Sequence, residues 1–196
     1  IYTLMTKNVP NSTIQGVELE FDWKPYEAGR LFGWVSMLDT ENGGSSSSEA
    51  TQDGYLCMER ALVGVDPCNA DGTIDLSGKN LTWSPELSWN LQCEHNTYTS
   101  NGFRIMNIIN VNYTGEMFYN ESNYDVEPFH SGRDDLYTVN TSMVFINEAN
   151  AWGLEFYIHN ATDELIKTDS YPANAGFVKA MYAPPMEYGV RFQKDF

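Results

Sequence analysis

Val17-Glu18-Leu19-Glu20-Phe21-Asp22-Trp23 alternates apolar and acidic residues without a break. Successive side chains of an extended strand point to opposite faces, so the run puts its apolar groups on one face and its carboxylates on the other. A helix would scatter the same residues around its circumference. The stretch reads as a β-strand with one face withdrawn from water.

The same period returns along the chain. Phe103, Ile105, Ile109, Val111 and Tyr113 share one parity. So do Tyr137, Val139, Thr141, Met143 and Phe145, and Leu154, Phe156 and Ile158 stand against Glu155, Tyr157 and His159. Shorter candidates are 31–38, 55–65, 177–182 and 188–192. Helix signals are sparse: Ser84-Pro85-Glu86-Leu87 has a capping serine and an early proline, and predicts a short helical turn carrying Leu87, Trp89 and Leu91. The fold class expected is all-β: a single antiparallel β-sandwich, jelly-roll-like, with long loops and little helix, spanning 1–196. Residues 1–10 read as an extended N-terminal arm, and 41–53, with Asn42-Gly43-Gly44 and Ser45–Ser48, as a flexible loop. Pro184-Pro185 forces a turn before the last strand.

The formal net charge of -16, from 27 acidic and 11 basic residues, repels phosphate, so nucleic acid is excluded as a partner. No apolar run approaches the roughly 18 residues of a bilayer-spanning helix, so no membrane span is expected. At 42% hydrophobic and 14% aromatic the chain has the means to fold.

Six N-glycosylation sequons begin at Asn11, Asn80, Asn112, Asn120, Asn140 and Asn160. By parity Asn112 and Asn140 fall opposite the apolar residues of their strands, and Asn160 must lie in a turn after the strand ends near His159. N-linked glycans place the chain outside the cell or on its surface. Of Cys57, Cys68 and Cys93, two would pair in an oxidising compartment, and spacing alone does not choose which.

Asp66 to Asp75 resembles a calcium loop in part. Asp66, Asp71 and Asp75 could converge on one ion, but two EF-hand ligand positions are filled by Pro67 and Gly78, and an Asp-Gly turn accounts for the segment. None of His95, His130 and His159 sits in a catalytic motif, and Glu148 and Glu155 flank Trp152-Gly153 without a spacing that defines chemistry. No catalytic residue is assigned and no enzyme is expected. Trp34, Trp83, Trp89 and Trp152 are candidates for stacking on sugar rings, against a bland role in packing.

These features lead to an expectation of an extracellular structural protein, a repeating subunit of a filament, coat or surface layer. It would self-associate through its termini, with Tyr2, Leu4 and Met5 forming an edge strand. It needs no cofactor beyond its glycans and an optional calcium ion. The alternatives are a lectin-like carbohydrate-binding module, calcium-dependent in one form, and a receptor or viral ectodomain with a protein ligand.

Overall fold

The computed structural model of the chain describes residues 11–43, 76–121, 123, 130–173 and 177–194. The elements are β1 (Thr13–Tyr26), β2 (Gly29–Glu41), β3 (Leu87–Tyr98), β4 (Phe103–Thr114), β5 (Met117–Phe118), β6 (Gly132–Arg133), β7 (Leu136–Asn147), β8 (Trp152–His159), β9 (Lys167–Ala173), β10 (Phe177–Tyr182) and β11 (Glu187–Lys194). The all-β, antiparallel expectation holds. The layering differs from a sandwich: the long strands form one seven-stranded sheet in the order β1-β2-β3-β4-β7-β8-β11. Two small sheets, β5 with β6 and β9 with β10, stand beside it. No second large sheet faces the first among the described residues.

The connections alternate in length. At one end of the sheet they are tight: Glu27-Ala28 joins β1 to β2, 99–102 joins β3 to β4, and a 3-10 turn at Glu148–Asn150 leads from β7 to β8. At the other end they are long excursions, over 42–86, 115–135 and 160–186. The first turn is tight enough that Tyr26 pairs with Gly29 after a bulge. The second closes through Thr99, whose hydroxyl accepts from the Phe103 amide at 3.1 Å, with Gly102 at φ +78. The third closes at Ala151, which takes the left-handed conformation, while the Asn147 side chain caps the turn.

Strand register explains why alternation is so persistent. Trp23 pairs with Leu31, Leu31 with Cys93, Cys93 with Ile109, and Ile109 with Thr141. One row along, Leu19 pairs with Val35, Val35 with Trp89, Trp89 with Tyr113, and Tyr113 with Tyr137. Residues opposite each other in an antiparallel ladder share a face, so apolar parity is kept in phase across the sheet. The helical turn expected at Ser84 is absent: Leu87, Trp89 and Leu91 lie in β3, and the Ser84 hydroxyl donates to the Thr82 carbonyl rather than capping a helix. Three alternate apolar positions fit a strand paired on both sides better than one helical turn.

The sheet has no core of its own. Among the described residues the only buried apolar side chains are Leu76 and Tyr119, both in the long excursions. On β1, Val17, Leu19 and Trp23 are 60%, 62% and 59% exposed. The chain exposes 12676 Å², about a third more than the roughly 9,400 Å² of a compact monomer of this mass. No helix among the described residues is long and apolar enough to cross a membrane.

Candidate functional site

The two faces of the sheet differ in chemistry. On the first lie Val17, Leu19, Phe21 and Trp23 of β1, Leu31, Val35 and Met37 of β2, and Trp89 and Leu91 of β3; β4, β7, β8 and β11 continue it. Its rims are aromatic. Toward the long excursions Trp89 stacks on Tyr113 at 5.9 Å and Tyr113 meets Tyr137 at 4.7 Å. Toward the tight turns Phe103 meets Trp152 edge-on at 5.6 Å and Trp152 meets Phe192 at 6.2 Å. Near that second rim the face also carries polar residues, among them His95, Asn107, Asn147 and Lys194, and the Tyr26 hydroxyl pairs with His95 Nδ1 at 3.1 Å.

The opposite face is polar and internally hydrogen-bonded. Asn90 donates to Asn112 at 2.6 Å, Asn112 to Asn110 at 2.7 Å, Asn110 to Gln92 at 3.3 Å, and Gln92 to Glu94 at 2.9 Å. Some of the charges on this face are paired. Arg30 binds both Asp22 oxygens, at 2.9 and 2.7 Å, and its guanidinium holds the Asp22 carboxyl below the usual range. Arg191 pairs with Glu155 at 2.6 Å and lies over the Tyr157 ring.

The excursions pack against one another around Tyr119, which is 8% exposed. Its hydroxyl donates to the Lys167 carbonyl, and Lys167 Nζ donates to the Gly132 carbonyl at 2.7 Å. The Trp83 ring meets it at 4.8 Å, tilted by 53°, and the Trp83 amide donates to the Phe118 carbonyl at 2.9 Å. Burial pushes the Tyr119 phenol up, opposed by Arg133, and burial pushes the Arg133 guanidinium down. Three excursions thus form one cap. Nothing in the sequence pattern pointed to Tyr119, Arg133 or Lys167, because strands as short as β5 and β6 carry no period.

The residues singled out from sequence are dispersed. Asn112 and Asn140 lie on the polar face, where Asn112 joins the amide ladder and Asn140 accepts from the Asn160 amide at 2.9 Å. Asn11, Asn80 and Asn120 lie outside the strands. Asn160 sits in a turn at φ +49, 6% exposed, its Nδ2 donating to the Glu164 carbonyl. Cys93 is a free thiol on the apolar face. Cys57, Cys68, Asp66, Asp71, Asp75, Tyr2, Leu4 and Met5 lie outside the described residues, as do residues 1–10 and most of the 41–53 loop. Glu148 and Glu155 do not form a pair: each holds its own arginine, Arg104 at 3.1 Å and Arg191 at 2.6 Å. Trp89 and Trp152 belong to the aromatic rims, Trp34 to the polar face, and Trp83 to the cap.

No protein-family model matches the sequence, and no curated protein matches it. Solved structures do match in fold. The ferric yersiniabactin uptake receptor from Yersinia pestis superposes with a TM-score of 0.70 at 16% identity, over 94% of this chain and 24% of the receptor. The ferric preacinetobactin receptor from Acinetobacter baumannii gives 0.60 at 15% identity, over 92% of this chain and 22% of its own. A siderophore receptor from the same organism gives 0.63 at 13%, over 92% and 21%. The chain spans under a quarter of the length of these receptors, and at such identity the likeness is one of fold.

Proposed function

We propose that the chain is a section of the wall of a transmembrane β-barrel in an outer membrane, in a receptor that takes up a small molecule. The observation that carries this is the pair of aromatic rims bounding an apolar face that no second large sheet covers among the described residues. From Phe103 to Tyr113 the strand runs about 34 Å at 3.4 Å per residue. At a tilt of about 40° it rises roughly 26 Å, which matches the apolar band of about 25 Å, girdled by aromatics, on a membrane barrel. The alternation of tight turns and long excursions also fits, since such barrels turn tightly on one side of the membrane and loop widely on the other. The polar ladder then faces the barrel interior. Uptake as the activity is supported by the fold likeness to a receptor whose name gives it.

A filament subunit or a lectin-like module, the readings that composition favours, would have to cover the apolar face with another protein layer. The two cases separate by depth-dependent quenching. The full-length protein is reconstituted in phosphatidylcholine vesicles with brominated acyl chains, and single tryptophans are placed at Val111 or Asn112 in a background lacking the others. Strong quenching at 111 and little at 112 is expected. Equal, weak quenching at both positions overturns the wall reading.

A further inference from the structure

We propose that the free edge of β1 takes a strand from outside these 196 residues, with two basic side chains, two positions apart, facing Glu18 and Glu20. β1 ends the seven-stranded sheet and pairs with β2 alone. No other backbone hydrogen bond reaches it among the described residues. An edge strand directs alternate amides and carbonyls outward, where they form a ready ladder for one more strand. The usual devices that blunt such an edge are missing from most of this one. β1 is 14 residues long. It holds no proline or lysine before Lys24-Pro25, and its register shifts only between Trp23 and Tyr26. Val17, Leu19 and Trp23, on its apolar face, are more than half exposed. The neighbour that completes this edge is therefore apolar on that face.

The polar face says what else the neighbour carries. β1 has three carboxylates there, Glu18, Glu20 and Asp22. Asp22 has its cation, since Arg30 binds both of its oxygens. Across on β2, Glu18 meets Ser36, whose hydroxyl donates to it at 3.4 Å, and Glu20 meets Trp34. No cation reaches either glutamate among the described residues. Opposite charges facing each other across a ladder stabilise it, and like charges oppose it. Two basic side chains on alternate positions of the next strand match both glutamates at once. No strand of this chain can supply them: its 11 basic residues include no two that stand two positions apart. A second copy fits worse. Two β1 strands paired antiparallel at fullest overlap set Glu18 against Glu20, or Glu20 against itself with Glu18 against Asp22. β11, the other edge, has one basic residue on its polar face, Arg191, and Glu155 already holds it at 2.6 Å.

The free edge is there whether lipid or a protein layer meets the apolar face, so this pairing and the wall reading fail separately. Photo-cross-linking tests it, on the protein in the cells that make it, with a diazirine-bearing leucine analogue at position 19 and mass spectrometry of the linked peptides. Links to β2 are expected, because Val35 lies opposite Leu19. A second linked peptide should come from outside this chain and carry two basic residues with one apolar residue between them. Reversing the charges of β1, Glu18→Lys with Glu20→Lys, should raise the unfolding equilibrium constant roughly tenfold, as two attractions become repulsions. Changing the two basic residues of the linked strand to glutamate in the same protein should restore it, and Glu18→Gln with Glu20→Gln should fall between. The cross-link needs no charge variant, so it decides even if the reversed protein does not fold. The proposal is overturned if β2 is the only peptide linked, or if the second peptide belongs to this chain. It is also overturned if the linked strand lacks the two basic residues, or if the charge swap restores nothing.

Discussion

Tyr119 shows how a single side chain can organise segments far apart in sequence. Its ring carries Trp83 from the first excursion, and its hydroxyl reaches the third through Lys167. Tyr119→Phe keeps the ring and loses the hydrogen bond, so a loss of about 1 kcal/mol is expected, read as a lower melting temperature. The pH dependence has a definite sign. The phenol is raised above its ordinary 10.0 in the folded state, so the unfolded chain ionises first. The stability from the protonated phenol is complete below pH 10 and is lost as pH climbs toward the folded value. Alkaline loosening of the cap should therefore begin above pH 10 in the wild type and lose this component in Tyr119→Phe. Asn160 makes a second residue-scale case. Its Oδ1 accepts from the Glu164 amide at 3.1 Å and the Thr162 hydroxyl at 3.2 Å, and its Nδ2 donates at 3.0 Å. The nitrogen that would carry a glycan is engaged in a buried turn. Peptide mass analysis should find Asn160 unmodified, and Asn160→Ala should cost roughly 1–3 kcal/mol by leaving backbone partners unsatisfied.

At the scale of the strand, parity is the organising fact, and β4 makes it testable within one pair of neighbours. Val111 faces the apolar side, between Leu91 and Val139, while Asn112 lies in the polar ladder. Val111→Arg, one row inside the aromatic rim at Tyr113, should cost roughly 1–2 kcal/mol if that side meets lipid, between the values at the midplane and at the interface. Asn112→Arg should cost much less. Urea unfolding of the full-length protein in vesicles measures both, and equal costs would contradict the two-faced strand. The alternation from Val17 to Trp23 is legible in the sequence alone, as are the strands containing Val111, Val139 and Phe156. The medium beyond the apolar face was not. A lipid tail and a second protein sheet both accept Val, Leu and Phe, so the period is the same for a sandwich and a membrane wall. Helix-length hydropathy could not see such a wall either, because every other residue is polar. What favours the wall is the gathering of Trp89, Tyr113 and Tyr137 at one height and Phe103, Trp152 and Phe192 at another. Those residues are far apart in sequence and become rows only when register is known. The cap was hidden for a related reason: Trp83, Tyr119 and Lys167 meet through single contacts between excursions.

At the scale of the molecule, the sheet's two edges decide what can complete it. The strands succeed one another antiparallel from β1 to β11, and there are seven of them. The edge strands therefore run the same way, β1 from the long-excursion end at Thr13 and β11 from the same end at Glu187. Joining β1 to β11, within one chain or between two copies, would make a parallel pair. An all-antiparallel barrel needs an odd number of further strands supplied from elsewhere. Open edges are not tolerated in lipid, where every backbone amide and carbonyl needs a partner. In water the same edges, with their exposed apolar flank, invite aggregation. A single copy of the chain of 196 residues should therefore fail to form a closed barrel in either medium, and two copies could close antiparallel only by pairing β1 with β1 and β11 with β11, which turns one of them upside down in the membrane. Refolded into detergent, the chain should give no discrete species resistant to dissociation by dodecyl sulfate at room temperature, whereas a longer protein that supplies the missing strands should give one that shifts on heating. A stable, closed oligomer of the isolated chain would show that its edges pair without strands from elsewhere, in parallel between like-oriented copies or antiparallel between inverted ones, and would count against a wall completed by further strands.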